Sequence, residues 1–70
     1  MIMPLTLEVE QEVDNRWLAE ITTLPGVQAY GQTRTEAIER AKALALRVLA
    51  DRVEHGEPIP QMDDLFAVVP

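Results

Sequence analysis

Three glutamates at alternate positions are the residues whose types and spacing could do chemistry in this sequence. Glu8, Glu10 and Glu12 stand in the segment LTLEVEQEV. Side chains two residues apart in a strand point to the same face, so these carboxylates would form one row. A metal-dependent nuclease instead needs acids that converge from several elements on two metals about 4 Å apart. The row therefore predicts a solvated face or an acidic docking surface for a basic partner, with a metal-binding nuclease site as the weaker alternative.

No other set of residues has the composition of a catalytic or metal site. The sequence contains no cysteine and a single histidine, His55. Disulfides, thiolate metal sites and cysteine nucleophiles are thereby excluded. No recognisable motif positions a base beside the threonines. We predict a protein that is not an enzyme and that uses no metal and no cofactor.

The charge balance narrows the class of partner. Twelve acidic residues against six basic ones give a formal net charge of −6. A nucleic-acid-binding protein usually displays a basic patch that replaces the counterions of the phosphates, so direct nucleic-acid binding by this chain is disfavoured. An acidic surface suits a basic protein partner, because complementary potentials orient the encounter.

Length and hydropathy indicate one small globular domain that covers residues 1–70. A 70-residue chain buries only about 60% of the surface that it exposes when unfolded. Small domains without disulfides or metals are often stabilised by association, so we expect a homo-oligomer, a dimer or a tetramer. No apolar run has the length of a membrane span, and no secretory signal precedes the first strand. We expect a cytoplasmic protein.

Alternating apolar residues predict an antiparallel hairpin. In the run Leu5–Val13, one side carries Leu5, Leu7, Val9 and Val13. Asp14 and Asn15 have the side chains of a turn, and the run Arg16–Leu24 resumes the alternation. Trp17 shares the apolar side of this second run and is predicted to pack in the core beneath a helix.

A third strand and a long helix follow. Pro25 and Gly26 predict a tight turn before a strand at Val27–Gln32, and Gly31 near its end predicts a bulge or a close backbone approach. Thr33 and Glu36 have the spacing of a capping box that begins a helix, and Gly56 is the predicted left-handed cap after Glu54. The residues predicted to face the sheet are Ala37, Ile38, Ala41, Leu44, Ala45, Val48 and Leu49. The run LFAVV, Leu65–Val69, predicts a final strand.

Apolar residues left off the core faces predict a self-association surface. They are Leu18, Tyr30, Leu46, Val53 and Phe66, with Val68 as the alternative to Phe66. An exposed apolar patch on a small domain usually marks an interface.

The order of these motifs resembles the HicB-like antitoxin family. The matching residues are Leu24-Pro25-Gly26, Gly31, Thr33, Glu36-Ala37, Ala41 and Gly56–Pro60. The resemblance covers Leu5 to Pro60, and its specificity lies in the order and spacing of short motifs. The sequence departs from the family at Thr22-Thr23, where an acidic residue is common, and at a first hairpin that lacks glycine. With the chain ending at Pro70, we expect a short member without a C-terminal DNA-binding segment.

The resemblance implies both a fold and a function. The fold is α+β with the order β-β-β-α-β, one long helix on one face of a small mixed sheet, similar to a truncated ribonuclease-H-like core. The function is to bind and occlude a small basic HicA-type RNA-cleaving toxin. The alternative is a stand-alone oligomeric protein-interaction domain of the same fold without a toxin partner.

Overall fold

Three antiparallel strands and one long helix form the part of the chain that the structure describes. The computed structural model describes residues 5–59 and 66–69. The strands are β1 (Leu7–Gln11), β2 (Trp17–Ile21) and β3 (Gln28–Gly31), and helix α1 is Arg34–Glu54. The sheet has the order β1-β2-β3, and α1 packs against one face, mostly over β2 and β3. The predicted α+β class is confirmed.

The first hairpin closes through a short loop between β1 and β2. Asn15 has a φ of 70°, a left-handed conformation that asparagine tolerates, and its N–H donates to the carbonyl of Glu12 at 3.0 Å. The N–H of Glu12 in turn donates to the carbonyl of Arg16 at 2.7 Å. β1 ends at Gln11, so Val13 lies in the loop, where it is fully exposed at 104%. The prediction that Val13 continues the apolar side is therefore wrong.

The LPG motif forms the turn between β2 and β3. The N–H of Val27 donates to the carbonyl of Leu24 at 3.1 Å, which closes a four-residue turn. Gly26 has a φ of 89° at the third position of this turn, where a residue with a Cβ would be strained. Both predictions for this segment, the turn and the strand that follows, are confirmed, although β3 is shorter than expected.

Helix α1 begins and ends with side-chain and glycine caps. The Thr33 hydroxyl accepts the N–H of Glu36 at 3.0 Å, as the capping box predicts. The carboxylate of Glu36 accepts the N–H of Gln32 at 3.1 Å instead of the N–H of Thr33. At the other end, Gly56 has a φ of 72° and its N–H donates to the carbonyl of Val53. This arrangement satisfies carbonyls that the last turn of the helix leaves without partners.

Gly31 is where the helix approaches the sheet most closely. A Cβ built at Gly31 would collide with the backbone nitrogen of Ala37 and lie 2.9 Å from its Cα. The register of β3 against β2 is continuous up to Gly31, so the strand ends without a bulge. Of the two predicted roles of this glycine, the close backbone approach is the correct one.

The core lies between the sheet and α1 and is built largely from small residues. The buried hydrophobic residues of the described chain are Ala19, Ile21, Leu24, Val27, Ala37, Ala41, Ala45 and Leu49. Trp17 is half-buried and packs against this cluster, as predicted. Alanines on α1 let the helix backbone come close to the strands. The largest fully buried side chains of the described chain are Ile21, Leu24 and Leu49.

The predicted fourth strand does not form in the part of it that the structure describes. Leu65 lies outside the described residues, and residues 66–69 pair with no strand. The observed sheet is consequently antiparallel, where a mixed sheet with a crossover to a parallel strand was expected. Within residues 5–59 and 66–69, no helix is both long and apolar enough to cross a membrane.

Candidate protein-binding surface

The face of the sheet opposite α1 carries the acidic residues. Alternation along each strand and the strand registers place one set of side chains on this side. We call it the outer face, and its members are Glu8, Glu10, Leu18, Glu20, Gln28 and Tyr30.

Two glutamates of neighbouring strands oppose each other on the outer face. Glu8 of β1 is the partner of Glu20 of β2 in the register. The N–H of Thr22 donates to the carbonyl of Thr6 at 2.9 Å, and hydrogen-bonded pairs alternate along an antiparallel ladder. Glu8 and Glu20 therefore form a hydrogen-bonded pair, with Cβ atoms about 5.5 Å apart. Like charges in this position are mutually destabilising.

A third carboxylate completes an acidic trio. Glu10 follows Glu8 on the same face of β1, diagonally across from Glu20. Among the described residues, no lysine, arginine or histidine forms an ion pair with any of the three. The Coulomb repulsion within the trio is therefore left uncompensated inside this part of the chain.

An apolar residue lies within the acidic trio. Leu18 is the register partner of Glu10 and is half-buried. Together with Val9 and the three glutamates it lines an open hollow of about 370 Å³. An arginine or lysine of a partner fits this chemistry, because its aliphatic stem can cover leucine while its charged end meets carboxylates.

The opposite end of the outer face carries a fixed cation. The guanidinium of Arg16 lies 4.3 Å from the centre of the Tyr30 ring, and its Nε is 2.7 Å from Oδ2 of Asp14. Hydrogen bonds from the backbone N–H and the side chain of Arg16 lower the pKa of Asp14. Arg16 is thus held between Tyr30 and Asp14. The outer face has the glutamates at one end and the cation–π pair of Arg16 and Tyr30 at the other.

The sequence identified two members of the trio and missed the third. Glu8 and Glu10 lie together as predicted, whereas Glu12 follows the end of β1 in the hairpin loop and is half-buried. Glu20 was not predicted as a site residue. The signal was present, because a hairpin closed at Asp14-Asn15 places a glutamate of the second strand opposite Glu8.

The predicted self-association residues fall into two separate groups. Leu18 and Tyr30 are register partners on the outer face, where Tyr30 is 39% exposed. Leu46, Val53 and Phe66 lie on the helix side and line a hollow of about 160 Å³ with Leu49, Ala50 and Ile59. These five residues therefore do not form one continuous patch.

The acidic residues are not arranged as a metal site within the described chain. No group of three or more histidine, cysteine, aspartate or glutamate side chains there could hold a metal ion. His55 caps the end of α1, with Nδ1 2.7 Å from the carbonyl oxygen of Asp51 and 3.4 Å from its Oδ1. Its position is that of a helix-terminal residue next to the negative end of the helix dipole.

No protein-family model matches this sequence, and neither a curated protein nor a solved structure is significantly similar to it.

Proposed function

We propose that this chain is a HicB-like antitoxin-type protein, without catalytic activity, that binds and occludes a small basic HicA-type RNA-cleaving toxin. The observation that carries the proposal is the trio of Glu8, Glu10 and Glu20 around Leu18, with which no basic side chain of the described residues forms an ion pair. The motif order from the LPG turn to the segment GEPIP supports it. A toxin that cleaves RNA acts where RNA is translated, so the proposal implies a cytoplasmic protein.

The acidic trio supplies a physical basis for occlusion. A protein that binds RNA places basic side chains where the phosphates lie. Carboxylates on the sheet carry the same negative charge as the phosphates. They can therefore compete with the RNA for the basic side chains of the toxin. Binding would also relieve the repulsion between Glu8 and Glu20, since a cation from the partner would lie between them.

The test measures the affinity of the purified chain for a HicA-type toxin by isothermal titration calorimetry. Where a reading frame adjacent to this one encodes a small basic protein, that protein is the candidate toxin. We compare a double variant of the trio, Glu8→Gln with Glu20→Gln, against Glu54→Gln with Glu57→Gln. The two variants change the net charge equally, and the second removes exposed acids at the end of α1.

The expected result is micromolar or tighter binding that the trio variant weakens at least tenfold and the control pair leaves within about twofold. Binding should also weaken as the salt concentration rises, since the contact is between charges. Absence of binding at micromolar concentrations and moderate salt contradicts the proposal. Equal weakening by both variants would show that only net charge matters and that the outer face is not the site.

The exposed apolar residues of the helix side favour the second candidate function, a stand-alone oligomeric interaction domain. Leu46, Val53 and Phe66 are each more than half exposed. An affinity pull-down of the tagged chain from its own cells separates the two candidates. A small basic protein in equal amount supports the antitoxin function, and recovery of the untagged chain alone supports the stand-alone oligomer.

A further inference from the structure

The outward edge of β3 is the side of this strand that faces away from β2. Among the described residues, β3 pairs with β2 and with no other strand. The N–H of Ile21 donates to the carbonyl of Val27 at 2.9 Å, and hydrogen-bonded pairs alternate along an antiparallel ladder. Ala29 is therefore bonded to β2, whereas Gln28 and Tyr30 direct their backbone N–H and C=O groups toward the outward edge.

Two side chains of α1 bind backbone groups at this edge. Nη1 of Arg40 donates to the carbonyl of Tyr30 at 3.0 Å, and Oε1 of Glu36 accepts the N–H of Gln32 at 3.1 Å. The same Oε1 lies 3.1 Å from Nη2 of Arg40. Because Glu36 and Arg40 are four residues apart, their side chains lie on one side of the helix. We call these two residues the edge pair.

The edge pair makes the same two hydrogen bonds as one residue of a neighbouring strand. In a parallel pair of strands, a residue donates its N–H to one carbonyl of its neighbour and its C=O accepts the N–H two residues further along. Here Arg40 supplies the donor for the carbonyl of Tyr30, and Glu36 supplies the acceptor for the N–H of Gln32. A strand that approached this end of β3 would find both groups already bonded.

The sequence of β3 gives little other protection against strand addition. Charged side chains, proline and very short strands are the usual devices at sheet edges. β3 has the sequence QAYG, which contains no charge and no proline. It also carries Tyr30, an aromatic residue of the kind that favours strands, and this side chain is 39% exposed. The described protection of β3 consists of its length of four residues and the edge pair.

We propose that the edge pair keeps β3 closed to strand addition, and that its removal lets β3 pair with β3 of a second copy. The strand is complementary to itself in antiparallel orientation, since Gln28 of each copy then lies opposite Tyr30 of the other and no charges meet. The outward N–H and C=O groups of both residues are bonded in such a pair, and the contact is two-fold symmetric. The glutamates of the outer face take no part, so the inference does not rest on the proposed function.

The test uses the full chain and a pair of matched variants. Arg40→Met removes the donors to Tyr30 and Glu36 and keeps a long side chain. Arg47→Met is the control, because Arg47 is exposed about 10 Å further along the same helix and the change of side chain and charge is identical. Mass is measured by sedimentation equilibrium over a range of concentrations, helix content by circular dichroism, and hydrogen exchange of the Gln28 and Tyr30 amides by NMR.

The expected result is that Arg40→Met keeps its helix content and associates to twice the mass of the unaltered chain as the concentration rises. Its Gln28 and Tyr30 amides should then exchange about tenfold more slowly than in the dilute sample. The unaltered chain and Arg47→Met should show neither change.

Three results would overturn the proposal: an unchanged mass of Arg40→Met, association without protection of the Gln28 and Tyr30 amides, and equal association of both methionine variants. Should Arg40→Met fail to fold, Glu36→Gln replaces it. This variant removes the charge that holds Arg40 and keeps an acceptor for the N–H of Gln32. The same two measurements then decide, with the same outcomes for and against.

Discussion

Glu8 and Glu20 lie directly opposite each other on neighbouring strands, with no basic side chain of the described residues paired to either. A sheet surface that served only the fold would gain stability from opposite charges at these two positions. The repulsion is retained on the same face as Glu10 and Leu18, where a basic partner would relieve it. This relationship is the strongest physical link between the fold and the proposed function.

Removing one of the two charges is expected to stabilise the isolated protein. Glu20→Gln keeps the shape of the side chain and ends the repulsion with Glu8, so the free energy of unfolding should rise by roughly 0.2–1 kcal/mol. A gain at the upper limit corresponds to about 4–8 °C in Tm for a domain of this size. Urea denaturation at one fixed protein concentration measures it.

The same substitution, Glu20→Gln, should lower the affinity for a basic partner. It should therefore raise the stability of the protein and weaken its binding. Glu54→Gln is the control, since Glu54 is exposed on α1 and should leave the stability within about 0.5 kcal/mol. If Glu20→Gln destabilises the protein, the carboxylates do not repel each other as the register indicates.

Gly31→Ala should destabilise the domain by about 1–3 kcal/mol or more, because the added methyl would collide with the backbone of Ala37 and push the start of α1 off the sheet. The free energy of unfolding measures the loss. The amides in the first turn of α1 should also exchange with solvent faster than in the unaltered protein. A side-chain rotation cannot relieve this contact, since the atoms opposite are backbone.

Gly26→Asn is the comparison for Gly31→Ala. Gly26 has open space around its Cα, and only its φ of 89° constrains the residue type. Asparagine tolerates this region better than other residues with a Cβ, so the cost should stay near or below 1 kcal/mol. Equal costs at the two glycines would argue against the close approach at Gly31.

Leu49→Ala is expected to cost about 2–5 kcal/mol, because Leu49 is among the largest fully buried side chains and its removal leaves a cavity. The total stability of a 70-residue domain is roughly 3.5–10 kcal/mol by the usual value per residue. The variant should therefore lose a large share of its stability, and its urea midpoint, followed by circular dichroism of the helix, should fall well below that of the unaltered protein. Val53→Ala on the same helix, more than half exposed, should change little.

Asp14 makes the stability of the first hairpin depend on pH at the acidic end. Hydrogen bonds from Arg16 hold the folded pKa of Asp14 below its ordinary value. The folded state therefore binds the proton less tightly than the unfolded state, and the stabilisation is complete above the unfolded pKa of about 3.9. It is lost as the pH falls through the folded pKa.

An NMR titration of the Asp14 carboxyl should give a pKa below that of an unstructured peptide with the same residues. Asp14→Asn should flatten the pH dependence of stability below about pH 4. An unshifted titration would mean that the contacts of Asp14 with Arg16 do not persist in solution.

Local patterns in the sequence were enough to place the turns, the caps and the long helix. Pro25-Gly26, Thr33 with Glu36, and Gly56 act through their own backbone geometry, so neighbouring residues alone decide their structure. The apolar face of α1 was also predictable, because burial follows the helical period. The acidic row was only partly predictable: Glu8 and Glu10 share a strand, but Glu20 joins them through a pairing register that connects distant residues.

What the sequence by itself determined is therefore the type of the four observed elements, the sign of the charge on the protein and the position of each turn. The tertiary structure decided which residues meet across elements. It placed Glu20 opposite Glu8, ended β1 before Val13, brought the backbone of Ala37 onto Gly31 and gave residues 66–69 no strand partner among the described residues. The physical reason is that turns and caps depend on contacts within a few residues, whereas strand pairing and helix packing depend on the competition of the whole chain for a small core.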